Sequence, residues 1–223
     1  MSEFIFMLTK DDQTVADALS VYDEVRGALL RYVGFKDLGQ STSVLRELTT
    51  RIHADGRTAV LEVVSIDRDS EVRSVEAGLE MGADLLMGGT HPDDVLPLLR
   101  GSCLRYFPFS GRVVGHPSVL TGSIEEIAES ARELTSRPGV NGLDLLAYRH
   151  DGDIPDLIEK VIAASSGPVV VAGSIDSAER IHIVSRLGAW GFTVGGAVFD
   201  RAFVPGGSLR LQVDEALRRA EET

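Results

Sequence analysis

Lys36 and Asp37 end an apolar run in "YVGFKDLGQ", and Glu62 stands inside another, "TAVLEVVS". A lysine beside an acid can bind and polarise a carbonyl, or serve as acid and base. A lysine of depressed pKa can also form a Schiff base. The plain alternative is a salt-bridged pair in a surface loop. Glu62 would be costly to bury unpaired. It is therefore expected to face inward and meet a cation, with Lys36 on the adjacent strand the nearest candidate. A paired, partly buried acid is the usual form of a catalytic base; a structural ion pair is the competing reading. Asp144 in "NGLDLLAYR" is a second acid able to project inward, and Arg149, at the end of the same run, could bind a carboxylate or phosphate.

His91 in "MGGTHPDD", His116 in "VVGHPS" and His150 in "AYRHDG" follow three successive apolar runs. Loop histidines are most often just solvated. His91 is the one that could join Lys36, Glu62 and Asp144 in proton transfer, and His116 joins Asp37 and Arg149 as a candidate substrate contact. No close spacing of ligand types supports zinc, so no metal and no cofactor are expected. His53, His182, Trp190 and Cys103 read as surface or packing residues.

Such side chains need elements to hold them. Apolar runs of strand length recur at Phe4–Leu8, Tyr32–Phe35, Ala59–Val64, Leu85–Met87, Leu104–Phe109, Leu143–Tyr148, Val169–Ala172 and Phe192–Val198. Most are continuous rather than alternating, as in parallel strands covered on both faces. Helical segments lie between them. "VADALSVYDEVRGALL" sets Val15, Leu19, Tyr22, Val25 and Leu29 on one stripe, Ser123 and Glu126 have capping-box spacing, and Pro155 and Gly167 bracket another helix. Eight strands alternating with helices predict a closed (β/α)8 TIM barrel, one domain over residues 1–223. An open doubly wound sheet would show a glycine-rich fingerprint after its first strand; "TKDDQTVAD" lacks one.

The last two runs end in glycine-rich corners, Gly173-Ser174 and Gly195-Gly196. Small residues there let backbone N–H groups approach an anion, and helix starts add partial positive charge. Asp176 or Ser177 is expected to cap the helix after strand seven. Two such corners, on the strands where barrels commonly seat a phosphate, favour a phosphate site at Gly173, Ser174, Gly195 and Gly196 over glycines that merely turn the chain.

"VVVAGSIDSAERIHIVSRLGAWGFTVGGAVFD", residues 169–200, resembles the final quarter of the ribulose-phosphate-binding barrel enzymes. That group includes isomerases of histidine and tryptophan biosynthesis, thiamin phosphate synthase, epimerases and sugar-phosphate decarboxylases. They read "GGI" after strand seven and "VGSA" or "VGRAI" after strand eight. Here the corresponding residues are Gly173-Ser174-Ile175 and Val194-Gly195-Gly196-Ala197-Val198. No single member is matched. The decarboxylases' Asp-x-Lys-x-x-Asp after strand three lacks its lysine in "AVLEVVSID", the metal-binding histidines and aspartates of pentulose-phosphate epimerases are not found, and strand one lacks the early aspartate of the histidine-pathway isomerase. "LRYFPFSG" is similar to the "FFP" of keto-deoxy-phosphogluconate aldolases, without their lysine. The resemblance implies an enzyme acting on a phosphorylated sugar or related metabolite, first an isomerase or epimerase, then an aldolase or decarboxylase. A regulator like the glycerol-operon antiterminators, which share the barrel, is the alternative from another class.

Composition fits. The net charge is −12, and no basic stripe suggests nucleic acid. One cysteine excludes an internal disulfide framework. No signal-like or membrane-length apolar run is found, so a soluble cytoplasmic protein is expected. Its partner would be a phosphorylated small molecule, with a homodimer left open.

Overall fold

In the computed structural model, which describes residues 2–65 and 67–222, the apolar runs pair side by side. They form β1 (Glu3–Met7), β2 (Tyr32–Lys36), β3 (Thr58–Val63), β4 (Leu85–Gly88), β5 (Arg105–Phe107), β6 (Leu143–Leu145), β7 (Val169–Val171) and β8 (Gly191–Val194). The sheet has 8 strands in the order β6-β7-β8-β1-β2-β3-β4-β5, every pair parallel. Its two edges then meet. Asn141 N–H donates to Tyr106 O at 2.8 Å, Asp144 N–H to Pro108 O at 2.9 Å and Ser110 N–H to Asp144 O at 3.2 Å, closing a (β/α)8 barrel.

The outer layer comprises α1 (Ala18–Val25), α2 (Thr42–Ala54), α3 (Arg68–Met81), α4 (Pro92–Leu98), α5 (Ile124–Thr135), α6 (Ile154–Ala164), α7 (Ala178–Arg186), the short α8 (Gly196–Phe199) and α9 (Leu209–Glu221). Side-chain oxygens satisfy N–H groups that a helix cannot pair internally at its first turn. Ser123 and Glu126 form the expected capping box on α5, and Ser177, not Asp176, caps α7. No helix among the described residues is long and apolar enough to cross a membrane.

Alternation along each strand sorts the side chains. Residues such as Val33, Phe35, Leu61 and Leu86 pack outward against the helices. Ile5, Met7, Val60, Met87, Phe107 and Val170 fill the lumen. Trp190 packs at the N-terminal end of this filling, with its ring 5.5 Å from Tyr32 and 5.9 Å from Phe107. Gly34 makes room for Met7: a Cβ at Gly34 would lie 2.2 Å from the Met7 sulfur. The lumen is thus packed below its C-terminal rim.

Three runs end earlier than their apolar character suggests. α1 stops at Val25, and Leu29 is 85% exposed; Gly27 follows, and the Arg57 guanidinium takes the carbonyls of Arg26 and Ala28. β6 stops at Leu145 and turns into a 3-10 segment, Ala147–Arg149. β8 stops at Val194, and Ala197 and Val198 belong to α8. The breaks after β6 and β8 turn the chain at the C-terminal rim, and the one after α1 turns it into β2 at the opposite end.

Candidate functional site

Lys36 is the last residue of β2 and follows Tyr32 and Gly34 on the lumen face. It is 5% exposed. Its register partner on β3 is Glu62, so two inward side chains meet at the top of neighbouring strands. Lys36 Nζ lies 3.4 Å from Glu62 Oε1 and 2.7 Å from Asp12 Oδ1.

Asp12 comes from a tight hairpin after β1, in which Thr9–Lys10 pairs antiparallel with Gln13–Thr14. Its two central residues, Asp11 and Asp12, have φ of 51° and 58°, the backbone of a two-residue primed turn, which aspartate tolerates. Thr14 fastens the hairpin to β2: its hydroxyl donates to Lys36 O and accepts from Lys36 N–H, both at 2.8 Å. Asp12 is thereby buried over Lys36. On its other side Arg149, swung inward by the turn after β6, grips both carboxylate oxygens at 2.7 Å. Ser118 N–H adds a contact to Asp12 Oδ2 at 3.2 Å, and Ser118 O accepts from Arg149 at 3.1 Å.

The result is an alternating chain of charges, Arg149–Asp12–Lys36–Glu62. Burial alone would push the Asp12 carboxyl up, but the hydrogen bonds from Arg149 and the charge of Lys36 hold it well below the usual carboxylate range. Burial would pull Lys36 down, and the charges of Glu62 and Asp12 reverse this and raise it. Arg149 is raised too, with burial opposed by Asp12. Lys36 is held as an ammonium.

Asp144 faces the lumen from β6 and is fully buried. Neither carboxylate oxygen has a hydrogen-bond partner among the described residues. Burial, then the charge of Glu62, pushes its carboxyl well above the ordinary range, with Lys36 and Arg149 pulling weakly the other way. An ionised carboxylate without a partner there would be very costly, so Asp144 is held in its neutral form.

Lys36, Glu62, Asp12 and Arg149 line a cavity of about 570 Å³ at the C-terminal rim, which also takes in Gly173, Ser174, Gly195 and Gly196. Gly173 (φ 79°) and Ser174 (φ 56°) are left-handed, and a Cβ at Gly173 would lie 2.9 Å from Arg149 Cγ. A Cβ at Gly195 would meet Thr9 Oγ1 at 2.6 Å, whereas Gly196 faces open space. The missing side chains at Gly173 and Gly195 thus make room for Arg149 and Thr9, while Gly196 leaves its backbone open to the cavity.

Other expected site residues lie elsewhere. His91 precedes α4 and is drawn to buried Glu71, with Nδ1 2.7 Å from Glu71 Oε2 and its N–H 3.0 Å from Oε1; it does not line the cavity. Asp37 points outward, accepting from Val64 N–H at 3.1 Å, Ser65 Oγ at 2.8 Å and Ser74 Oγ at 2.6 Å. It fastens β3 and α3 because the residue after an inward Lys36 must face the helices. His116 is exposed in a hairpin after β5, and its neighbours Pro117 and Ser118 reach the cavity instead. Asp12, Lys10 and Ser118 were not singled out in the sequence. For Asp12 the legible signal was the Asp11-Asp12 pair between Thr9-Lys10 and Gln13-Thr14, a turn signature at the active rim.

No family model matches the sequence, and no curated protein matches it. Solved structures do. A chain of the BexX/CysO complex of Amycolatopsis orientalis is 19% identical over 100% of this chain and 89% of that one, with a TM-score of 0.64. N-(5'-phosphoribosyl)anthranilate isomerase from Pyrococcus furiosus is 17% identical over 100% of both chains, with a TM-score of 0.65. Orotidine 5'-phosphate decarboxylase from Pyrococcus horikoshii OT3 is 12% identical over 98% of this chain and 99% of that one, with a TM-score of 0.69. At these identities the likeness establishes the fold.

Proposed function

We propose that the protein is an enzyme acting on a small phosphorylated sugar or related phosphometabolite, by moving a proton next to a carbonyl. The observation that carries this reading is the buried Lys36 ammonium between Asp12 and Glu62, 2.7 and 3.4 Å away, in the same cavity as the Gly173-Ser174 and Gly195-Gly196 corners. The corners hold the phosphate through backbone N–H groups. The carbonyl oxygen turns to Lys36. Glu62 takes the proton from the adjacent carbon, the C–H electron pair forms the enediolate, and the negative charge settles on the oxygen facing Lys36. Returning that proton to the former carbonyl carbon, while the hydroxyl proton on the adjacent oxygen passes to the oxygen facing Lys36, isomerises the substrate; returning one to the same carbon from its other face, with the carbonyl restored, epimerises it.

The raised proton affinity of Lys36 favours this over Schiff-base chemistry, which requires a neutral amine. An aldolase or decarboxylase passing through the same enediolate uses the same groups and is the second reading. A phosphometabolite-sensing regulator would need the corners alone.

Lys36→Met separates these. Loss of one preorganised electrophile costs on the order of 10²–10³ in rate, so exchange of substrate protons with deuterated water should fall by that factor, while phosphate affinity changes far less. Exchange at the wild-type rate removes Lys36 from the mechanism. No exchange by the wild type with any of a panel of pentose, hexose and triose phosphates favours the sensor.

A further inference from the structure

Three cations line the cavity, Lys10, Lys36 and Arg149. Lys36 and Arg149 are both committed to Asp12. Lys10 is not part of that chain. It sits on the hairpin after β1, next to Thr9, whose oxygens pack directly on the Gly195 corner. Its Nζ reaches across to Asp200 Oδ1 at 2.6 Å, and Asp200 immediately follows α8. A side-chain ammonium and its counter-ion thus flank the backbone corner formed by Gly195 and Gly196. The pair is 43% and 59% exposed, and an exposed, single-contact ion pair of this kind is weak.

The other corner is built alike. Asp176 follows Gly173, Ser174 and Ile175 and lies 3.0 Å from Arg180. Each corner therefore has an acid beside it whose charge a cation masks. For a phosphate dianion these acids are a barrier as long as they stay where they are. A phosphate monoester offers three acceptor oxygens and more charge than one carboxylate, so it competes well for a lysine that a carboxylate holds by one contact.

We infer that Lys10 is a direct ligand of the substrate's phosphate group, transferred to it from Asp200 when a phosphate monoester enters the Gly195-Gly196 corner. This rests on the phosphate reading of that corner given above. In the exchange one N–H···O contact to Asp200 is lost and one to a phosphate oxygen is gained; Asp200, 59% exposed, turns away from the corner into solvent once freed. A neutral sugar drives no such exchange, so the pair selects for the phosphorylated form.

The test is calorimetric titration of the intact chain with inorganic phosphate at constant low ionic strength, where such contacts are least screened. Lys10→Ala should weaken binding on the order of tenfold, the loss of one charge-assisted hydrogen bond. Lys10→Glu should weaken it further. Asp200→Asn should tighten it, since the competitor for Lys10 is gone. Both residues are exposed, so these variants should unfold at the wild-type temperature, and that is checked first. Gly196→Asp tests the corner itself, because a side chain there enters open space. If Gly196→Asp loses phosphate while Lys10→Ala and Asp200→Asn bind as the wild type does, Lys10 is not a ligand although the corner is. If Gly196→Asp binds phosphate normally, or the wild type binds none, the corner reading fails and the inference falls with it.

Discussion

Lys36 Nζ lies 2.7 Å from Asp12 Oδ1, and this contact ties the end of β2 to the turn after β1. The turn and the strand define each other. Thr14 sets the hairpin against the Lys36 backbone, and Asp12 then has two buried cations to satisfy, Lys36 and Arg149. Two cations alternate with two carboxylates, so the cluster tolerates burial as a unit and not in pieces.

Asp12→Asn should isolate that electrostatic role. Asparagine is favoured in the same left-handed turn, so the hairpin keeps its shape, while Lys36 and Arg149 share one carboxylate fewer. Removing one partner of a buried ion pair costs about 3–5 kcal/mol, and a loss of that order is expected in urea denaturation. Adding Lys36→Met to the variant should recover part of it. A loss below about 1 kcal/mol would mean that Lys36 and Arg149 are satisfied without Asp12.

The lumen below the cluster is set by one size relationship. A Cβ at Gly34 would overlap the Met7 sulfur at 2.2 Å, and Gly34 sits on the same strand face as Lys36, one inward position below it. Gly34→Ala should destabilise by roughly 1–3 kcal/mol, the usual cost of overpacking. In a Met7→Ala background the same change should cost much less. A double-mutant cycle measures the coupling; additive effects would show that Met7 can move aside freely.

Asp37 carries a contrasting expectation. Its three hydrogen bonds are to Val64 N–H, Ser65 and Ser74, so Asp37→Ala should lower the thermal midpoint, with a cost of about 1–3 kcal/mol for the donors left behind. Phosphate affinity should stay at the wild-type value when measured well below that midpoint. A selective loss of ligand binding with unchanged stability would return Asp37 to the site.

These residues mark what was legible in the sequence. The barrel was readable because its strands are near-continuous apolar runs, and Lys36 stood out as a charge ending one such run and Glu62 as a charge inside another. Asp37 was readable in principle: neighbours on a strand face opposite ways, so an inward Lys36 sends Asp37 outward. His91 was not, because Glu71 that draws it away lies 20 residues earlier on α3. Asp12 depends on two left-handed residues in a turn and on Arg149, 137 residues later. Local pattern carries neither relationship, and without Asp12 the sequence leaves Arg149 free to be read as a substrate contact.

Asp144 supplies the pH-dependent prediction. Its carboxyl is raised in the folded chain by burial and then by Glu62, against an unfolded value of about 3.9. The folded state therefore holds this proton over a range where the unfolded state has released it. Below the unfolded value both states are protonated and Asp144 adds no pH dependence. As pH rises above it, the unfolded state binds fewer protons than the folded one, and stability falls until pH passes the raised folded value. Asp144→Asn keeps a neutral side chain of the same shape and removes that titration, while Glu62, Lys36 and Arg149 remain in both proteins. The variant should therefore gain on the wild type as pH increases, by at most about 1.4 kcal/mol per pH unit within the window. Urea midpoints of the two proteins, taken from about pH 4 to pH 8, should diverge in that direction. Parallel midpoints would show that Asp144 is ionised in the folded barrel, satisfied by a partner such as a bound water, and that the lumen stores no proton beside Glu62.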